Sequence, residues 1–105
     1  MTQLKPTALF APVKIGTMQL QHRVVMAPLT RYRASDAHVP TDMMLEYYTQ
    51  RASTPGTLLI TEATPIARKA GGLGNVPGIW SKEQAEEWKK VCCSFPNLSY
   101  PYPYP

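Results

Sequence analysis

Several patterns that define whole classes of protein are missing from this 105-residue sequence. No apolar run reaches the roughly twenty residues that a membrane-spanning helix needs, so the sequence predicts no membrane span. The first residues contain neither a charged-then-apolar signal segment nor a lipidation motif, and we therefore expect a cytoplasmic protein. Only two cysteines occur, Cys92 and Cys93. Because they are adjacent, they disfavour a disulfide with each other and lack the spacing of a metal site.

Acidic residues are few, with seven Asp and Glu against eleven Lys and Arg, for a formal net charge of +4. This charge permits weak attraction to nucleic acids or phosphates. However, the basic residues are scattered and no aromatic residues alternate with them, as they would in a single-strand binder. We therefore predict no nucleic-acid partner. A hydrophobic content of 44% is typical of a globular domain and exceeds that of disordered chains.

The last fourteen residues differ from the rest of the chain. Residues 92–105 read CCSFPNLSYPYPYP, carry no charge and hold four of the eleven prolines. Alternating Tyr-Pro cannot continue a helix or a full strand ladder, so we predict an extended, poorly ordered tail. The predicted domains are thus residues 1–91 and an unrelated tail, 92–105. Val91 requires a GTN codon, so one hypothesis is read-through into an intron, and biological truncation is the alternative.

The body of the chain predicts a parallel βαβ unit. Residues 24–27 and 57–61 are short apolar or β-branched runs next to Pro28 and Gly56, which is typical of buried strands. Residues 41–52 lie between them and contain neither Gly nor Pro, so they predict a helix. Apolar and aromatic side chains at helical spacing predict the face that packs on the sheet, with Met44, Tyr47, Tyr48 and Arg51 on it. We interpret these aromatic residues as core.

Two further elements flank this unit. Ser81 and Gln84 have the spacing of a capping box and predict a second helix, with Ala85, Trp88 and Val91 on its apolar side and a Glu86–Lys90 pair. Residues 13–15 and 18–20 alternate around Gly16 and predict a hairpin. The predicted fold is α/β, with the order ββ and then β-α-β-α. In such folds reactive groups follow the strands, which makes Thr30 the best single candidate.

Four blocks of the sequence, which together span about residues 8–91, read LFAPVKIGTMQLQHRVVMAPLTRYRA, EYYTQRA, PGTLLITEATPI and AGGLGNVPGIWSKEQAEEWKK. In this order they resemble the Old Yellow Enzyme family of FMN-dependent NAD(P)H oxidoreductases, with the fungal members most similar. The resemblance implies the N-terminal part of a (β/α)8 TIM barrel, truncated after a capping hairpin, strands 1 and 2, helix 1 and the start of helix 2. It also implies hydride transfer from NAD(P)H through the flavin to an activated alkene.

The same resemblance implies roles for five residues. Thr30 matches the threonine that hydrogen-bonds the O4 edge of the flavin, while Pro28 and Leu29 match backbone beside the ring. Ala63 matches a small residue at the end of the second strand, where bulk would collide with the ring. Leu73 lies at a loop position where many members carry a tyrosine beside the substrate.

The remaining functional residues of the family lie beyond this chain, so we expect no catalytic residue and no metal site here. His22 and His38 are expected to be structural. Two strands that lack neighbours bury less surface, and we expect the isolated chain to be partly folded or aggregation-prone, with negligible FMN affinity. Two functions stay open, namely an ene-reductase represented by its N-terminal portion and a non-catalytic remnant.

Overall fold

The computed structural model describes residues 7–94, which form two small sheets and two helices. The strands are β1 (Val13–Ile15), β2 (Met18–Leu20), β3 (Val25–Met26) and β4 (Leu58–Leu59). The helices are α1 (Asp42–Arg51), between β3 and β4, and α2 (Lys82–Cys93). The predicted order of elements is confirmed. Within residues 7–94 the strands form no closed barrel.

The N-terminal hairpin is as predicted. β1 and β2 are antiparallel, with Val13 opposite Leu20 and Ile15 opposite Met18. Gly16 begins the turn with a φ of +59°, a conformation that glycine adopts without the steric penalty of a side chain.

The second sheet contains the parallel pair on which the βαβ prediction rests. Val25 lies opposite Leu58, and Met26 lies opposite Leu59. Met26 and Leu59 pack on the core, whereas Val25, on the opposite strand face, and Val24, just before β3, remain 40% and 45% exposed. The prediction that both runs are buried is therefore wrong for this chain, because in the described residues no further strand pairs with either outer edge.

Helix α1 presents the predicted face to the core. Met44, Tyr47 and Tyr48 are buried, while Arg51 stays exposed at the end of the same stripe. Thr41 is the N-cap residue, but its hydroxyl donates to the Arg33 carbonyl at 2.5 Å instead of capping the helix. The start of α1 is thus attached to the loop that follows β3.

Helix α2 begins at the predicted capping box and differs from the prediction in two details. Gln84, rather than the exposed Ala85, is buried beside Trp88 and Val91. It is buried because its side-chain oxygen accepts a hydrogen bond from the Trp80 amide, in the turn before the helix. Lys90 pairs with Glu87 at 2.5 Å and not with Glu86. The helix also includes Cys92 and Cys93, the first residues of the segment assigned to the tail, whereas residues 95–105 lie outside the described part.

The main core lies between the two helices and the inner face of the β3–β4 pair. Six buried side chains form it, namely Ala34, Met44, Tyr47, Tyr48, Trp88 and Val91. The loop before α2 closes over this core: Trp88 Nε1 donates to the Gly78 carbonyl at 3.1 Å, and the Gly78 amide donates to the His38 carbonyl at 2.8 Å. This packing fixes α1, and with it the loops at the carboxyl ends of the strands.

Candidate functional site

The predicted site residues follow the two parallel strands. Pro28, Leu29 and Thr30 come directly after β3, and Ala63 comes shortly after β4. Since parallel strands end at the same sheet edge, the two segments share one side of the fold. Pro28, Leu29 and Ala63 are exposed there, and Thr30 is half-buried.

Several hydrogen-bond donors at this edge have no partner among residues 7–94. Backbone pairing between the two segments ends where the Ile60 amide donates to the Met26 carbonyl at 3.1 Å. Past that bond, the amides of Leu29, Thr30 and Ala63 and the Thr30 hydroxyl form no hydrogen bond within the described range. Because Leu29 and Ala63 are exposed and Thr30 is only half-buried, these groups can donate to the acceptor atoms of a planar ligand.

Helix α1 holds both segments through consecutive tyrosines. The Tyr47 hydroxyl accepts a hydrogen bond from Arg31 Nε at 3.1 Å, immediately after Thr30. The Tyr48 hydroxyl accepts one from the Glu62 amide at 3.0 Å, immediately before Ala63. The sequence predicts these rings as core, and they are buried. Their hydroxyls have the additional role of fixing the two loops.

Glu62 is a buried acid that the sequence analysis missed. Its side chain and backbone are 3% exposed, and neither carboxylate oxygen has a hydrogen-bond partner among the described residues. Burial raises the pKa of this carboxyl, while the nearby Arg31 amide, outside full hydrogen-bond geometry, and the charges of Arg33 and Arg31 oppose the rise. One signal could have found it: an ionisable residue directly continues an apolar strand run.

Three guanidinium groups surround the Tyr47 ring. The Cζ atoms of Arg51, Arg33 and Arg31 lie 3.7, 4.7 and 5.7 Å from the ring centroid. Such contacts are attractive because each cation faces the electron-rich ring. They also concentrate positive charge beside residues 28–30, which we call the Thr30 segment. The charges of Arg31 and Arg33 act on the buried carboxyl group of Glu62.

Comparison with known proteins identifies this architecture. The sequence profile of the NADH:flavin oxidoreductase / NADH oxidase family matches residues 8–94. The chain belongs to this family. It is 59% identical over 85 residues to the chanoclavine-I aldehyde reductase fgaOx3 of Penicillium roqueforti, which covers 81% of this chain and 23% of the relative. It is 60% identical over 83 residues to the NADP-dependent oxidoreductase lnbE of Aspergillus flavus, at 79% and 22% coverage.

Solved structures confirm the fold that the resemblance implies. The Old Yellow Enzyme from Pichia sp. AKU4542 is 48% identical, with a TM-score of 0.78 over 81% of this chain and 22% of that chain. This chain therefore corresponds to a small α/β part of an Old Yellow Enzyme barrel, and it spans less than a quarter of the length of these relatives.

The other residues singled out in the sequence lie in loops of this family fold. Leu73 is 56% exposed and follows a short helical turn, Arg68–Ala70. His22 Nδ1 accepts a hydrogen bond from the Val24 amide, so its proton is on Nε2, which bonds Thr57 at 2.8 Å. His38 Nδ1 donates to the Val76 carbonyl at 2.8 Å. Both histidines thus connect loops. Neither α1 nor α2 has the length and apolar character needed to cross a lipid bilayer.

Proposed function

We propose that this chain supplies the first two β/α units of an FMN-dependent NAD(P)H oxidoreductase that reduces activated alkenes. In this proposal Pro28, Leu29, Thr30 and Ala63 contact the flavin ring, and Leu73 lies in the substrate loop. The observation that carries it is the set of hydrogen-bond donors after β3 and β4 that have no partner among residues 7–94, in a chain that belongs to the flavin oxidoreductase family.

The residues at this edge fit a flavin ring. Ala63 is small and exposed, so a flat ring can approach the backbone after β4 without meeting a side chain. Leu29 is 46% exposed and offers apolar surface beside its own amide, which has no partner in the described part of the chain. The Thr30 hydroxyl, on a half-buried residue, can donate to a ring carbonyl oxygen.

When bound, the flavin supplies the hydride-transfer chemistry between the nicotinamide and the alkene. The residues of this chain have a different task. Thr30 places a donor where negative charge accumulates on the reduced ring, and a fixed donor of this kind stabilises that charge without reorganisation. Ala63 and Leu29 exclude water from one side of the ring. No acid–base step is assigned to this chain.

A chimaeric barrel tests the proposal. Residues 8–94 replace the matched part of the Old Yellow Enzyme from Pichia sp. AKU4542, and the product is assayed for bound FMN and for NADPH-dependent reduction of an α,β-unsaturated ketone. We expect bound flavin and turnover. A folded chimaera that binds no FMN would contradict the proposal.

The Thr30 hydroxyl is tested in the same chimaera. We expect Thr30→Ala to change the reduction potential of bound FMN while thermal stability stays close to that of the parent, because the hydroxyl has no partner within the described chain. Thr49→Ala, at an exposed position of α1, is the matched control and should leave the potential unchanged. An unchanged potential in both variants would remove Thr30 from the site.

Titration of the 105-residue chain with FMN separates the two candidate functions. Less than a quarter of a family barrel is covered here, so we expect no micromolar binding by the chain alone. Micromolar binding with reductase turnover would show that the chain acts independently. Failure of the chimaera to bind FMN would favour the non-catalytic remnant.

A further inference from the structure

Glu62 occupies a position between the two segments of the candidate flavin site. It directly precedes Ala63, and the charges of Arg33 and Arg31, in the neighbouring segment, act on its carboxylate without an ion pair among the described residues. At 3% exposure it is one of two buried polar residues in the described part of the chain. Both of its carboxylate oxygens lack a hydrogen-bond donor there.

The backbone of Glu62 is held on both sides. Its amide donates to the Tyr48 hydroxyl at 3.0 Å, and its carbonyl accepts from the Thr64 hydroxyl at 2.9 Å. The residue therefore has little freedom to move with respect to α1. Because Glu62 is held in place, the attraction of its carboxylate for the arginines restrains the more exposed segment that follows β3.

Stability of this chain gives no reason for a carboxylate at this position. A buried charge without hydrogen bonds destabilises the folded state, and a leucine of similar volume would avoid that penalty. What a carboxylate adds is a negative charge that attracts the guanidinium groups of Arg33 and Arg31, and Arg31 directly follows Thr30. Arg31 is also held by the Tyr47 hydroxyl, so the attraction acts on an arginine with a fixed anchor.

We propose that Glu62 is a positioning residue, whose buried charge attracts Arg31 and Arg33 and so holds the Thr30 segment in a defined place beside Ala63. This role rests on the proposed flavin site but acts without a ligand. Helix α1 contributes Tyr47, Tyr48 and the charged Arg51 to the surroundings of these groups. The two tyrosines are held by the hydrogen bonds described above. Glu62 itself makes no contact with the reacting atoms.

The test uses the 15N-labelled 105-residue chain without flavin. We expect the amides of Thr30, Arg31 and Arg33 to shift together as pH changes, with the apparent pKa of Glu62. Glu62→Gln should abolish this titration and weaken the nuclear Overhauser contacts between residues 28–30 and 61–63. Glu62→Asp retains the charge and should restore part of both. Glu86→Gln, an exposed change of the same type on α2, should alter neither.

Several outcomes overturn the proposal. The proposal is refuted if the amide chemical shifts of the residues after β3 do not change with pH. It is also refuted if their titration persists in Glu62→Gln. Contacts that are equal in the wild type and the Gln variant would show that the charge positions nothing. A wild-type chain that lacks the Glu62–Tyr48 contact in solution would also refute it, because the carboxylate would then not be buried.

A second measurement distinguishes failure here from failure of the proposed function. In the chimaeric barrel we expect Glu62→Gln to weaken FMN binding about tenfold, with Glu62→Asp closer to the parent. If the chimaera binds no FMN while the flavin-free titration behaves as expected, the flavin site is wrong and the positioning role stands. If FMN binds equally in all variants, the positioning role is refuted.

Discussion

Tyr48 and Glu62 are joined by a hydrogen bond in which the Glu62 amide donates to the buried phenol oxygen at 3.0 Å. The bond links the middle of α1 to the chain just past β4, across fourteen positions of sequence. Burial, which outweighs the opposing hydrogen bond, raises the pKa of Tyr48 to about 12. The phenol therefore stays protonated at neutral pH, and its oxygen is available as an acceptor.

Removal of this acceptor should destabilise the chain. Tyr48→Phe retains the ring but leaves the buried Glu62 amide without its hydrogen-bond acceptor. An unsatisfied buried donor costs about 1–3 kcal/mol. We expect a loss of that size in the free energy of unfolding, measured with urea. Tyr47→Phe is the matched control, because its partner Arg31 is exposed and can bond water instead, so a smaller loss is expected. Equal losses would contradict this account.

The stability of the chain should fall through the contribution of Glu62 as pH rises from below the ordinary carboxyl pKa of 4.5 through the raised pKa of the folded state. Its pKa in the folded chain is raised above the ordinary value of 4.5, so the folded state favours the protonated form. That contribution is fully present below the unfolded pKa and is lost as pH rises through the folded pKa. Glu62→Gln should therefore flatten the profile of the urea midpoint against pH. A wild-type profile that rises over this range, with no difference in the variant, would disprove the assignment.

Gly78 has no room for a side chain. A Cβ atom here would overlap the Trp80 ring and lie 2.8 Å from Gln84 Nε2. We expect Gly78→Ala to lower the free energy of unfolding by about 1–3 kcal/mol through overpacking. Gly74→Ala is the control, since nothing lies within 4 Å of its added methyl group and its φ is not positive. The comparison fails if thermal denaturation shows both variants equally stable.

The open strand edge should cause self-association. Val25 in β3 is 40% exposed, and Val24 and Leu29 on either side of this strand are 45% and 46% exposed. An uncovered apolar edge of this kind favours pairing between chains. We expect concentration-dependent oligomers in sedimentation experiments, and fewer of them in Val24→Lys. Thr49→Lys adds the same charge to an exposed site on α1 and should have no comparable effect. Monomeric wild-type chain at all concentrations would exclude the idea.

Local patterns predicted the elements of this fold, and three-dimensional context decided the details that the sequence analysis missed. The capping box of Ser81 and Gln84 and the stripe on α1 depend on spacing alone, and both are present. The exposure of Val25 depends on how many strands surround it, which no local pattern contains. Lys90 pairs with Glu87 and not with Glu86, because the i,i+3 and i,i+4 spacings on a helix allow ion pairs of similar energy.

The candidate site shows the same division. Strand ends predicted where Thr30 and Ala63 lie, but their proposed contacts with a flavin came from the family resemblance and stay a prediction. Glu62 was missed because burial of a strand-end acid depends on α1 lying above it. The hydrogen bonds of the two tyrosine hydroxyls were not predicted, because packing of the rings in the core already explains aromatic residues at these positions.

Tyr47 and Tyr48 are consecutive, so their side chains leave α1 about 100° apart and serve two different loops from one point on the helix. Deletion of a single residue upstream in α1 would turn both phenols away from their partners simultaneously. The loops after β3 and β4 would then both lose their hydrogen bonds to α1, even though every residue within the loops was unchanged.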